Sequence, residues 1–167
     1  LEIIEGLQIP TSGNTRVLGI DTHLDPAAVK ERIGVHLQSS AYFDHLTLDE
    51  ILVLFGSFYR RRIKPRELLE KVNLLEKAGT MVKHLSGGQK QRFTVAASLV
   101  NDPEVLILDE PTTGLDPQAR QNLWQLIQQI HSEGKTIVMT THYMEEAQAL
   151  CDRVAIMDIG RIVELDT

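Results

Sequence analysis

The 167 residues predict an α/β domain with a largely parallel sheet flanked by helices, together with a strand-free helical stretch beside the sheet. Three observations support this. Val105-Leu106-Ile107-Leu108 is a continuous apolar run that ends in acid at Asp109, the pattern of a parallel strand covered on both faces. Strand-length apolar runs alternate with helix-length amphipathic segments from residue 100 onward. Between residues 46 and 82 the pattern is helical throughout, which places a helical region against the sheet rather than within it.

Taken in order, residues 1–7 read as the tail of a helix, with Leu1, Ile3, Ile4 and Leu7 on one face, ending at the turn Pro10-Thr11-Ser12-Gly13. A chain that opens within a helix is expected to be a truncated domain. Residues 15–18 and 33–37 are short strand candidates, separated by a polar segment that carries Asp25-Pro26. Thr47-Leu48-Asp49-Glu50 is a capping box opening an apolar helix to about Tyr59. Pro65 suits the first position of another helix, running to about Leu75.

Ser86-Gly87-Gly88-Gln89 is a second capping box, of the form Ser-x-x-Gln, and opens a helix through Val100, with a core stripe at Phe93, Ala96, Ala97 and Val100. Asp116-Pro117 caps and starts a helix to about His131. Residues 136–140 are the next strand and residues 144–150 a short helix. Residues 154–157 and 161–164 are expected to close the sheet.

Composition narrows the function. A net charge of -6 and a pI near 5.5 argue against free nucleic acid as the main partner, since phosphate-backbone binding needs a dense Lys/Arg surface. The run Arg60-Arg61-Arg62 with Lys64 is short and reads as a solvated helix end. One cysteine, Cys151, permits no internal disulfide; it suits a reducing compartment and reads as a small packed side chain. The longest apolar runs are much too short to span a bilayer, and no signal peptide opens the chain.

Two motifs carry chemistry. Asp109-Glu110 follows a strand whose carboxyl end borders the ligand-binding edge of a parallel sheet. A carboxylate there is suited to hold Mg²⁺, and its neighbour to polarise an attacking water. Pro111 blocks continuation of the ladder. In Leu85-Ser86-Gly87-Gly88-Gln89 the glycines let backbone N–H groups approach a phosphate at a helix N-terminus. Taken singly these are modest signals: His142 suits an ordinary strand-end histidine, Gln38 a surface glutamine and Asp116 a helix cap.

In order and spacing, however, the motifs resemble those of ATP-binding cassette (ABC) ATPases, P-loop NTPase-like proteins. Leu85–Gln89, continued as Lys90-Gln91-Arg92, resembles the signature motif. Val105 to Glu110 resembles the Walker B strand with its catalytic glutamate, Gly114-Leu115-Asp116 the D-loop, His142 after Thr140-Thr141 the switch histidine, and Gln38 the Q-loop glutamine. The likeness covers essentially residues 1–167, as a partial ABC ATPase domain with a helical and signature subdomain at about 46–100. It implies ATP and Mg²⁺ as cofactors, with Glu110 and His142 catalytic and Asp109 and Gln38 serving the metal. Ser86, Gly87, Gly88 and Gln89 would contact nucleotide held by a second ABC ATPase domain in a head-to-tail dimer, with Asp116 at the dimer contact.

The resemblance further implies a transmembrane permease subunit as partner, docked near residues 39–46 with Tyr42 and Phe43, and a cytoplasmic location at the inner face of the cell membrane. The segments 111–117 and 141–147 look like those of multidrug or antibiotic-efflux ATPases, which implies export. A soluble cassette protein of DNA repair or translation, or an inert scaffold, would share parts of this pattern. The departure is at the front: the family's Gly-x-x-Gly-x-Gly-Lys-Ser/Thr loop precedes a helix like residues 1–7, and no Gly-Lys-Ser/Thr occurs in this sequence. These residues alone are therefore expected to bind ATP poorly and hydrolyse it negligibly.

Overall fold

The computed structural model describes residues 1–36, 42–43 and 45–166. At its centre three parallel strands, β3 (Ile33–His36), β4 (Val105–Asp109) and β5 (Thr136–Thr140), lie in the order β3-β4-β5. Two short strands, β1 (Arg16–Val17) and β2 (Ile20–Asp21), form an antiparallel hairpin, and helix α1 (Pro26–Lys30) leads into β3. Helices α2 (Leu48–Gly56), α3 (Pro65–Lys71) and α4 (Gly87–Ser98) fill the interval between β3 and β4. Helix α5 (Pro117–Ser132) connects β4 to β5, α6 (Met144–Leu150) follows, and β6 (Val154–Asp158) and β7 (Arg161–Asp166) come last.

Strand β4 explains how the layers meet. Successive side chains point to opposite faces. Leu106 and Leu108 accordingly enter the larger core with Phe93, Leu123 and Ile127, while Val105 and Ile107 enter a smaller one with Val17, Val29 and Ile33. Truncating a buried leucine such as Leu106 costs about 2–5 kcal/mol. The larger core also contains Leu48, Ile51 and Leu69 from α2 and α3, so the helical region shares one apolar interior with the sheet.

The caps match their sequence signals. Thr47 and Glu50 bond reciprocally, as do Ser86 and Gln89, and Asp116 Oδ1 accepts from the Ala119 amide at 2.9 Å. Between β3 and α4 the backbones touch: a Cβ on Gly34 would lie 2.0 Å from the Ser98 carbonyl oxygen. The amino-terminal edge of the sheet is held by Arg32 on Glu104, at 2.6 and 2.8 Å, and by Lys135 on Asp102, at 2.6 Å.

Three expectations change. Residues 1–7 form a single turn rather than a regular helix. It is closed as a helix end by Gly6 (φ 67°), with the Gly6 amide on the Ile3 carbonyl and the Leu7 amide on that of Glu2. Its most buried side chain is not one of the apolar four but Glu5. Residues 15–18 yield only a two-residue strand, outside the central sheet, which turns back on β2 through Leu18 and Gly19, both at positive φ.

The last two strands do not close the sheet. They pair with each other across Ile159 and Gly160, again both at positive φ, a two-residue turn whose twist suits a hairpin. The strand expected at 33–37 is described over Ile33–His36, and residue 37 lies outside the described residues.

Candidate functional site

Parallel register brings the carboxyl ends of β4 and β5 side by side, with Asp109 opposite Thr140. The Thr140 hydroxyl donates to Asp109 Oδ1 at 2.5 Å and accepts from the Glu110 amide at 3.0 Å. One side chain thus orients both acidic residues. The Glu110 amide also donates to the Thr140 carbonyl at 3.2 Å, so β5 guides the chain one residue past the end of β4.

There Glu110 takes a left-handed conformation (φ 44°), uncommon for a non-glycine residue, which swings its carboxylate off the ladder. Its Oε2 accepts from the Thr113 hydroxyl at 3.0 Å and lies 3.4 Å from His142 Nδ1. His142 is about half exposed and Glu110 less so, so the pair faces outward at the rim. Asp109, Glu110 and His142 therefore meet at one end of the sheet.

The loop carrying His142 is held from α5. The His142 and Tyr143 rings stand 4.1 Å apart, and the Arg120 guanidinium lies 4.3 Å from the centre of the Tyr143 ring, a cation–π contact. One helical turn on, Trp124 Nε1 donates to Glu146 Oε1 at 2.9 Å and pins α6, where Glu146 is fully buried. Asp116, exposed at the start of α5, belongs to the same helix.

Ser86 and Gly87 are exposed at the start of α4. Among the described residues, a Cβ on Gly87 would meet nothing within 4 Å, whereas one on Gly88 would lie 3.0 Å from Ala119 Cβ. Gly88 thus lets α4 approach the first turn of α5, and Gly87 leaves the helix N-terminus open to solvent. Gln89 is committed to its cap, its Oε1 accepting from the Ser86 amide at 3.1 Å. The signature residues do not join the Asp109–Glu110–His142 group; they present a separate, outward surface. Gln38 lies outside the described residues.

No cluster of three or more His, Cys, Asp or Glu side chains arranged to hold a metal occurs among the described residues. A lone carboxylate at a strand end suits Mg²⁺, which commonly takes one or two carboxylates and completes its shell with phosphate and water oxygens. Asp109, oriented by Thr140, meets that description. Cys151 is half buried, and burial pushes its thiol above the ordinary value, the opposite of an activated nucleophile.

Several contributors were invisible in the sequence. Thr140, Thr113 and Arg120 act through pairings that depend on tertiary register. Another is His36, buried at the end of β3, which lies 3.0 Å from the side chain of Gln91 in α4.

The chain's first 113 residues match the model of the ABC transporter family. The chain belongs to that family. Its fold is that of the ABC nucleotide-binding domain. It superposes on an ATP-binding subunit of an ABC transporter with a TM-score of 0.84 at 26% identity, covering 99% of this chain and 71% of that one. It superposes equally on a dimeric ATP-binding cassette in a post-hydrolysis state bound to ADP and Pi, with a TM-score of 0.83 at 27% identity, covering 99% and 77%.

Among curated proteins it is 42% identical over 168 residues to the Nod factor export ATP-binding protein I of Rhizobium leguminosarum bv. viciae, covering 95% of this chain and 53% of that protein. The Rhizobium meliloti (strain 1021) protein of the same name is 43% identical over 167 residues, covering 95% and 49%. This ABC chain thus spans about half the length of the curated relatives it matches.

Proposed function

We propose that this chain is part of an ATP-binding and ATP-hydrolysing subunit that energises export across a membrane. The observation that carries the proposal is the meeting of Asp109, Glu110 and His142 at the carboxyl end of the sheet, with Ser86 and Gly87 displayed outward on a neighbouring helix. An export role is supported by the curated relatives, which are named as export ATP-binding proteins.

In this reading Glu110 Oε2 accepts a proton from the attacking water, and His142, beside it, holds the terminal phosphate and that water in line. Asp109 and Gln38 would hold Mg²⁺, which would supply charge neutralisation at the phosphates. Thr140 keeps the Asp109 carboxylate turned toward the rim. The Gly87 and Gly88 amides and the Ser86 hydroxyl present a helix N-terminus to nucleotide held by a second cassette, with Gln89 fixing their geometry through the Ser86 amide and Asp116 at the contact between the two.

A dimeric cassette among the structural neighbours supports the pairing. Among the described residues no helix is long and apolar enough to cross a membrane. A transmembrane permease is the partner this reading calls for, as the relatives' export role suggests. Phe43, exposed beside the helical region at 46–100, suits its docking at the inner face of the membrane, whereas Tyr42 packs on Phe93 and Phe55 in the core.

The test uses the complete polypeptide that carries this chain. Glu110→Gln is expected to slow ATP hydrolysis by about 10²–10⁴-fold and to accumulate an ATP-bound dimer, as the loss of a general base would. Rapid hydrolysis with no trapped dimer would remove Glu110 from that role. Residues 1–167 alone, lacking a Gly-Lys-Ser/Thr loop, should bind a fluorescent ATP analogue weakly.

A further inference from the structure

The Gln91 side chain sits where three elements converge. Its Nε2 lies 2.5 Å from the carbonyl oxygen of Pro111, the residue after Glu110, and 3.0 Å from Nε2 of His36, the last residue of β3. Gln91 itself belongs to α4, one turn beyond the signature glycines.

Elementary donor and acceptor chemistry settles the roles. A carbonyl oxygen only accepts, so the group facing Pro111 is the amide nitrogen and not its oxygen. That nitrogen carries two hydrogens, and the second faces His36 Nε2. The imidazole nitrogen must accept it, which makes His36 neutral with its proton on Nδ1. His36 is 1% exposed, so water does not compete for that nitrogen. Its Nδ1 has no hydrogen-bond partner among the described residues, so the bond to Gln91 orients the ring.

We infer that Gln91 is a positioning residue: it ties the backbone just after Glu110 to the signature helix and to the end of β3. This deepens, and rests on, the ATPase reading of the site. The signature amides face a second molecule's nucleotide while Glu110 faces its own. A donor bridging the two bases makes the angle of α4 and the placement of the Glu110 carboxylate move as one. The capping amide of Gln89 and the packing of Phe93 already stabilise α4, so Gln91 is not needed to form the helix.

Two variants and two readouts test this. Gln91→Met keeps length and removes both donors; Gln91→Glu keeps shape and sets a carboxylate oxygen against the Pro111 carbonyl. In the complete polypeptide both are expected to lower kcat about 10–100-fold, the scale of a misplaced catalytic group, with the KM for ATP and the melting temperature little changed. A kcat within twofold of the parent, or a loss that follows unfolding, overturns the inference.

The second readout does not involve ATP. Long-range ¹H–¹⁵N correlation of the labelled protein is expected to show His36 as the Nδ1–H tautomer. Gln91→Met should abolish that preference and shift the amides of Glu110, Thr112, Thr113 and Gly114. A proton on His36 Nε2 in the parent overturns the inference whether or not ATP is hydrolysed. The expected tautomer in a polypeptide without ATPase activity would uphold the tie and fail the ATPase reading instead.

Discussion

Replacing Thr140 by valine isolates the contact that holds the two acidic residues. Valine keeps the β-branched shape and removes only the hydroxyl, which donates to Asp109 Oδ1 at 2.5 Å and accepts from the Glu110 amide at 3.0 Å. The amide keeps a second acceptor, the Thr140 carbonyl at 3.2 Å, so that half of the loss is partly compensated. The carboxylate loses a hydrogen bond of the charged kind, worth about 1.5–3 kcal/mol. Asp109 is half buried, so water replaces part of it, leaving a cost of about 1–2 kcal/mol. In a domain of this size each kcal/mol lowers Tm by about 2–4 °C, which gives an expected fall of about 2–8 °C. Differential scanning calorimetry with urea unfolding reads both quantities, and Thr140→Ser, which restores the hydroxyl, should recover most of the loss. A Thr140→Val protein within about 0.5 kcal/mol of the parent would refute the reasoning, because the hydroxyl would then be contributing nothing that water cannot.

Two further outcomes follow from contacts away from the rim. Gly34→Ala would set a Cβ 2.0 Å from the Ser98 carbonyl oxygen, where carbon–oxygen contacts sit at about 3.3–3.6 Å, so β3 and α4 must part by more than about 1 Å. The expected cost by urea titration is about 1–3 kcal/mol or more, and an unchanged midpoint would contradict the packing described. The hydrogen bond from Lys135 holds the Asp102 carboxyl below its ordinary value. Its folded pKa is therefore lower than its unfolded one, so its stabilisation is present above about pH 4 and is lost as pH falls through the folded value. Asp102→Asn is expected to cost about 1–2 kcal/mol at neutral pH and to flatten the acid limb of the stability profile below about pH 4. An acid limb as steep as the parent's would assign that slope to other carboxylates.

What could be read from the sequence was whatever a local rule governs. The capping boxes at Thr47 and Ser86, the Asp116 cap and the apolar run of β4 each announce an element within a few residues, and each stands close to where the pattern put it. Helix α1 escaped because five residues are too few to show a period, although Asp25-Pro26 carries its cap and first turn. Strands β6 and β7 were visible as strands, but their partners were not, because alternation reveals a pleat and not a ladder. The rim was legible in its acids and its histidine. What orients them was not: the bond from Thr140 to Asp109 spans 31 residues, and that from Gln91 to His36 spans 55.

The backbone of Glu110 shows why those long-range bonds matter. Left-handed φ at a residue with a side chain costs about 1–2 kcal/mol, and β4 gains nothing in ladder length by adopting it. Pro111 disfavours the right-handed helical region at the residue before it, so the chain leaving β4 has few alternatives that also turn. The conformation is then fixed by its neighbours: the Glu110 amide bonds the Thr140 carbonyl and hydroxyl, the Glu110 carbonyl accepts from the Thr113 amide at 3.2 Å, and its carboxylate accepts from the Thr113 hydroxyl. Strain of this kind persists only where the surroundings over-determine it, and here they do so from β5 and from the turn that follows. The result is a carboxylate whose position is set by the sheet and the turn rather than by its own rotamer freedom. The general-base role proposed for Glu110, which needs a carboxylate held against a water in line with a phosphate, requires that.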